Sequence, residues 1–337
     1  MDWRRRLFPQ KQEGSSLYTD ALECLLRGDT DGAFVRLRKL VETDTSHIRA
    51  YVKMGDILRQ SGKAEQAVKI HQSLKFRRSL STAQKVEIHS SLARDYYDQG
   101  RLSRAEENAN EVLKTDRKNR WAAEFLVKIC EQGNRWSQAR QYLGKLEKIT
   151  GEDLSRRHAY CRMMEGRVRK EQGHYGDARD YFLKATKLDK TFADPYLYLG
   201  NLFQRQNDLE KAVENWMIFA ELSPGSGKQV FDRLEKALYE LGRFGEMEEF
   251  YRKLVTRDPS NLEAVAGLVD VLAAKGEIDQ AVNLLEKIVE KNEKSIPARL
   301  VRLKVLLHKI DQEQLSKEVD EILKLIHTGG DSTVRPA

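Results

Sequence analysis

Apolar and small side chains recur along this chain in a register that repeats eight times. Gly28, Gly62, Gly100, Asn134, Gly173, Asn207, Gly242 and Gly276 stand 34, 38, 34, 39, 34, 35 and 34 positions apart. Five residues after each comes a small or flexible side chain: Ala33, Ala67, Ala105, Ala139, Ala178, Ala212, Met247 and Ala281. Glycine and asparagine tolerate the left-handed conformation that ends a helix, so each predicts a tight turn. Alanine five residues on lets a second helix approach the first closely. Four residues before each turn stand Cys24, Leu58, Tyr96, Cys130, Arg169, Phe203, Leu238 and Leu272, apolar in all but one unit. Four and seven residues after the small position follow pairs such as Leu37 and Leu40, His71 and Leu74, Phe182 and Ala185, and Trp216 and Phe219. Spacings of three and four put these on one face of a helix, so each unit reads as a helical hairpin with one buried stripe.

A length near 34 residues, with Leu199-Gly200 followed by Ala212 and Trp216, marks the units as tetratricopeptide repeats. The expected fold is all-α: a right-handed tetratricopeptide solenoid of about eight helical hairpins over 15-294, closed by capping helices over 295-327. Within the cap, helices are expected near Ile296 to Lys309 and Gln312 to His327. Segments 1-14, which is basic, and 328-337 show no periodicity and are expected to be disordered tails. Two units are longer than the rest, and their extra residues are expected in loops around Arg77 to Ala83 and Thr150 to Ser155, either as surface slack or as functional loops.

Composition narrows the chemistry. The 337 residues include 59 basic and 52 acidic side chains, a formal net charge of +7, with the two signs interspersed. No apolar run approaches the length needed to cross a bilayer, and 1-14 lacks the apolar centre of a secretory signal, so a cytoplasmic address is expected. Cys24, Cys130 and Cys161 form no C-x-x-C pair, and no two of the seven histidines have metal-ligand spacing. Neither a cofactor nor a metal is expected. His71 falls on the apolar column of its helix and reads as a packed, hydrogen-bonded core histidine. Gly225-Ser226-Gly227-Lys228 resembles the end of a phosphate loop, but Gln229 follows where Ser or Thr is needed and no strand precedes it, so it reads as a turn. No nucleophile, base and orienting group share a plausible spacing, so no enzyme is expected. Nucleic acid is not expected as a partner, since only net charge favours it.

What remains is a surface for binding proteins. With first helices lining the groove, the positions eleven residues before the small column are Leu22, Asp56, Arg94, Lys128, Arg167, Asn201, Lys236 and Asp270. Arg59, Arg94, Lys128, Arg167, Lys170, Asn201 and Arg205 form the expected partner-binding groove. Asp56, Asp98, Glu131 and Glu171 flank it. Two readings stand: a groove for an acidic or extended peptide, or a solvated helix face with compensating ion pairs. Asn201 sits where chaperone-binding repeats place a carboxylate-gripping asparagine, but Leu197 stands one turn earlier in place of the lysine.

From about Tyr18 to Glu290 the chain resembles the lipopolysaccharide assembly protein B family. The resemblance lies in Ile57-Leu58-Arg59-Gln60-Ser61-Gly62, Ala67-Val68-Lys69-Ile70-His71-Gln72-Ser73-Leu74, Leu92-Ala93-Arg94-Asp95-Tyr96, Gly100-Arg101-Leu102-Ser103-Arg104-Ala105-Glu106 and His158-Ala159-Tyr160-Cys161. The two long units also fall where that family lengthens them. The resemblance implies an adaptor at the cytoplasmic face of the inner membrane that brings the lipid A deacetylase to a membrane AAA protease. The alternative is a general peptide-binding scaffold for another bacterial complex. Family members begin with a membrane-spanning helix and end in a rubredoxin-like zinc module. Here Met1-Asp2-Trp3-Arg4-Arg5-Arg6-Leu7-Phe8 precedes the repeats and C-x-x-C pairs are missing, so the expectation is peripheral membrane contact at most and no zinc site.

Overall fold

The computed structural model describes residues 9–291, 295–309 and 312–330, with side chains from Ser16 onward except at 291, 297, 308–309, 312 and 328–330. Among these residues the secondary structure is helical, without strands. Eighteen α-helices run in chain order: α1 Pro9–Leu26, α2 Thr30–Thr43, α3 Ile48–Gln60, α4 Ala64–Lys75, α5 Thr82–Asp98, α6 Leu102–Thr115, α7 Arg120–Gln132, α8 Trp136–Thr150, α9 Ser155–Glu171, α10 Tyr175–Leu188, α11 Ala193–Arg205, α12 Leu209–Leu222, α13 Lys228–Glu240, α14 Phe244–Arg257, α15 Leu262–Ala274, α16 Ile278–Lys291, α17 Ile296–Lys309 and α18 Gln312–Gly330. The chain divides into two compact units, Met1–Glu165 and Gly166–Ala337. In each, successive helices pack on one another in sequence order, and first helices of neighbouring hairpins also touch, as α3 touches α5 and α15 touches α17.

All eight turn residues adopt the left-handed conformation, with φ between 54° at Asn134 and 81° at Gly173. The amide one residue beyond each turn donates to the carbonyl five residues back, as Lys63 does to Leu58 at 2.8 Å and Arg135 to Cys130 at 2.8 Å. This bond satisfies a carbonyl that the helix end would otherwise leave open. The acceptors are the residues of the apolar column four places before the turn, so one residue both closes the first helix and packs beneath the second.

The small column is buried throughout, from Ala33 to Ala281, with Met247 taking the place of alanine in one unit. A second close approach was not read from the sequence. Glycines in first helices lie flat against rings sixteen residues further on: Gly166 against Phe182, Gly200 against Trp216 and, in the same register, Gly55 against His71. His71 thus occupies a position that three other units fill with an aromatic ring, Phe182, Trp216 and Tyr251, and the remaining four with Leu37, Ala109, Leu143 and Leu285.

Three structural expectations need correction. Helix α1 starts at Pro9, inside the expected 1-14 tail, because proline at a helix start has a suitable φ and lacks only an amide that would go unused there. Helix α18 continues to Gly330, past the expected boundary at His327. Residues 1–8 and 331–337 lie outside the described residues. The extra residues of the two long units also do not simply widen loops. Helices α5 and α9 are each 17 residues long, against 13 for α3, α7 and α11, so much of the insertion forms an added helical turn. At α5 this turn is nucleated by a capping box in which Ser81 and Gln84 satisfy each other's backbone amides at 3.2 and 2.9 Å. Among the described residues no helix is long and apolar enough to cross a membrane.

A Cβ at Gly200 would lie 2.4 Å from Trp216. Gly200→Ala should therefore destabilise the protein by about 1–3 kcal/mol, read as a lower urea midpoint, despite alanine's better helix propensity.

Candidate protein-binding face

In the unit Met1–Glu165, first helices α1, α3, α5 and α7 line an open cleft of about 490 Å³. The added turn of α5 contributes Ala83 to one wall, continued along α5 by Val86, Glu87 and Arg94, while Tyr18, Lys53 and Trp121 come from the neighbouring helices. Two of the cleft's cations are neutralised locally: Arg49 stands 3.7 Å from Glu87, and Lys53 4.0 Å from Asp56. Arg94 differs. Its guanidinium lies over the Trp121 ring at 4.4 Å from the centroid, and among the described residues no carboxylate lies within ion-pair distance of it. Burial pulls its pKa below the usual arginine value, against Asp56, but a guanidinium stays charged at any physiological pH. A half-buried cation without a carboxylate, stacked on an indole and open to a cleft, is suited to an incoming carboxylate.

Behind this cleft lies a buried polar cluster. Asp95 is fully buried. Its Oδ2 lies 2.6 Å from His71 Nδ1, and His71 Nε2–H donates to the Val52 carbonyl at 3.0 Å. Arg59 reaches Asp95 at 3.1 Å, Asp56 at 3.2 Å and Asp98 at 3.5 Å. The Arg59–Asp95 approach is an ion pair rather than an aligned hydrogen bond, since neither Arg59 Nε nor Asp95 Oδ1 gains a hydrogen-bonded partner from it. Ser91 Oγ donates to Asp56 at 3.0 Å, joining the cluster to the cleft wall. Burial opposes charge on His71, but its hydrogen bond to Asp95 and the nearby carboxylate outweigh it and raise the imidazole pKa. Burial also raises the Asp95 pKa, against the pull of His71 and Arg59. Both directions mean that the folded pair holds its shared proton more tightly than the unfolded chain does.

The seven residues expected to form a groove thus have different surroundings. In the first unit Arg59, 15% exposed, belongs to the buried cluster and its charge is spent on three aspartates. Arg94 faces the cleft, and exposed Lys128 lies over the Tyr97 ring at 4.5 Å. In the unit Gly166–Ala337, Arg167 and Lys170 both lie over Tyr198, at 6.0 and 5.1 Å, and Arg205 lies over Tyr175 at 4.2 Å. Asn201 is engaged by its own unit: its Oδ1 accepts from Trp216 at 3.0 Å and from Arg233 at 2.7 Å. The rings under the cations were missed from sequence. Their signal was an aromatic 27 to 31 residues from the cation, on a neighbouring first helix or, for Tyr175, at the start of a second helix.

The cysteines are core material. Burial pushes the Cys130 thiol up to about 11 and the Cys161 thiol up to about 12. Among the described residues no group of three or more His, Cys, Asp or Glu side chains is placed to hold a metal ion.

Loss of either buried partner should be costly. His71→Phe, which keeps a ring against Gly55 but strands Asp95, should destabilise by about 3–5 kcal/mol in urea unfolding, and adding Asp95→Leu should recover most of it. Because the His71 pKa is raised on folding, its stabilisation is complete below about pH 6.5 and declines as pH climbs through the higher folded value. The wild-type melting temperature should fall relative to the double variant as pH rises above about 6.5; parallel curves would refute the shared proton.

Two family profiles, both described as tetratricopeptide repeat, match the chain, one over residues 91–151 and 163–217 and the other over 238–304. Among characterised sequences, lipopolysaccharide assembly protein B of Escherichia coli strain K12 is 24% identical over 261 residues, covering 77% of this chain and 66% of the relative. The chain thus spans about two thirds of that relative's length. The protein of the same name from Haemophilus influenzae is 22% identical over 321 residues, covering 91% of this chain and 78% of the relative. Among solved structures, a tetratricopeptide repeat protein from Parabacteroides merdae aligns with a TM-score of 0.41 at 13% identity, over 93% of this chain and 99% of that one. With its eight left-handed turns, buried small column and matched repeat profiles, the chain belongs to the tetratricopeptide repeat family, and within it resembles lipopolysaccharide assembly protein B.

Proposed function

We propose that this protein is a non-catalytic scaffold that binds other proteins through the first helices of its hairpins and regulates lipopolysaccharide assembly. The observation that carries the binding part is Arg94: a half-buried guanidinium, stacked on Trp121 and facing a cleft, with its positive charge left for a partner. Lys128 in the same unit, and Arg167, Lys170 and Arg205 in the other, extend the set of ring-supported cations. Arg59 supports this face from behind, and Asn201 braces α11 against α12. Acidic segments of proteins are the partners this chemistry favours.

The connection with lipopolysaccharide rests on the similarity to lipopolysaccharide assembly protein B across most of the chain. On this reading the scaffold acts at the cytoplasmic face of the inner membrane, linking the lipid A deacetylase to a membrane AAA protease and so setting the enzyme's lifetime.

Depleting the protein in its host should lengthen or shorten the half-life of the lipid A deacetylase, followed by pulse-chase; an unchanged half-life would refute the regulatory role. In a pull-down with purified deacetylase, Arg94→Glu combined with Arg167→Glu should reduce capture by tenfold or more (~1.4 kcal/mol per decade) while the far-ultraviolet circular dichroism stays unchanged. Loss of capture of other acidic proteins, with the deacetylase half-life unaffected, would point instead to a general scaffold for another complex.

A further inference from the structure

The hairpin stack of the unit Met1–Glu165 has two edges. The tight turns at Gly28, Gly62, Gly100 and Asn134 lie along one, and the connections from each second helix to the next hairpin lie along the other. The connection between α4 and α5 is one of the two lengthened places in the chain, and it reads Lys75-Phe76-Arg77-Arg78-Ser79-Leu80. Phe76 is 86% exposed, a degree rare for a phenylalanine without a partner. Lys75, Arg77 and Arg78 around it are also exposed.

This presentation is built rather than incidental. The Phe76 amide caps α4 on the Leu74 carbonyl, and the Arg77 amide donates to the same carbonyl at 3.0 Å. Ser79 takes a left-handed φ of 61°, unusual for a residue with a Cβ. Leu80 then turns inward to pack on the core beside Tyr51, and the Ser81–Gln84 capping box begins α5. Arg77 rests over the Tyr51 ring at 5.6 Å. The connection is pinned at both ends, and Phe76 stands outward from it.

The next connection along the same edge, between α6 and α7, adds exposed Arg117 and Lys118. Its one carboxylate, Asp116, is occupied by the Lys118 amide at 3.1 Å and the Asn119 side chain at 3.0 Å. Cations surrounding an outward aromatic side chain match the boundary of an anionic bilayer: the headgroups attract the charges, and the ring enters the acyl layer. The turns of the opposite edge also carry cations, at Arg27, Lys63, Arg101 and Arg135, but among the described residues no outward ring accompanies them: Trp136 is buried, and the exposed apolar side chain there is Leu26.

We propose that the α4–α5 and α6–α7 connections, the basic middle of an edge whose outer connections carry Asp44 and Glu152-Asp153, dock the protein through Phe76 on the surface of an anionic lipid bilayer. The inference deepens the membrane location in the proposed function and is separate from its partner contact: either contact can fail alone, because the lipid contact uses the connections between hairpins and the partner contact uses the cleft.

The test is co-sedimentation of the full chain with vesicles of phosphatidylglycerol and phosphatidylcholine, against phosphatidylcholine alone. The wild type should bind the anionic vesicles and release with salt. Phe76→Ser, which leaves charge unchanged, should weaken binding about tenfold, and Lys75→Glu with Arg78→Glu by about tenfold or more. Lys63→Glu with Arg101→Glu, an equal charge change on the opposite edge, should alter it by less than about twofold. The proposal is overturned if the wild type stays in solution, if Phe76→Ser binds as well as wild type, or if the opposite-edge variant loses as much. It also falls if single-stranded RNA binds as tightly as the vesicles and displaces them, which would mark the edge as a receptor for polyanions.

Discussion

Close approach between the two helices of each hairpin is the constraint on which the rest of this structure depends. It is achieved by a buried side chain five residues past the turn, small in all units but the one with Met247, and in three units a second time, by a first-helix glycine lying flat against a ring. Interiors pack at crystal-like density, so an added methyl group in either place would push the helices apart and misalign the stripe that buries the next hairpin. The left-handed turn serves the same end. By closing the first helix on a carbonyl of its own apolar column, it sets where the second helix begins relative to the seam it must cover.

The cleft-facing surface grows out of this frame. Because first helices stand side by side, a cation on one can lie over an aromatic ring of a neighbour, as Arg94 lies over Trp121 and Lys128 over Tyr97. Rings hold these cations in place without cancelling their charge, whereas carboxylates would do both. Arg59 shows the other outcome: it is drawn under the surface by three aspartates and lost to any ligand. The polar cluster it joins exists because one unit places histidine at a buried position that the others fill with an aromatic or aliphatic side chain. That imidazole brings a buried carboxylate with it, making the local core sensitive to the loss of a single partner.

The lengthened units show how a repeat gains a feature without changing its register. Added residues in α5 wind into an extra turn that walls the cleft, while the connection before it carries Phe76 outward. Both consequences follow from one insertion. The seam is untouched because the turn and small columns on either side keep their spacing.

What the sequence determined alone was everything resting on short-range geometry: helical hairpins, all eight turns, the small and apolar columns, and the burial of His71 and Cys130. A left-handed turn depends on one residue and a bond five places back, so its signal is local and repeats visibly. The extent of the end helices was misjudged because periodicity fades where no further hairpin packs. Only the tertiary structure decided what each cation of the expected groove touches. Arg59 and Asp95 are 36 residues apart and Arg94 and Trp121 are 27 apart. Which opposite charge or ring a flexible arginine reaches depends on the lateral offset between neighbouring helices, and that offset is set by packing across the whole seam rather than by any local pattern of residues.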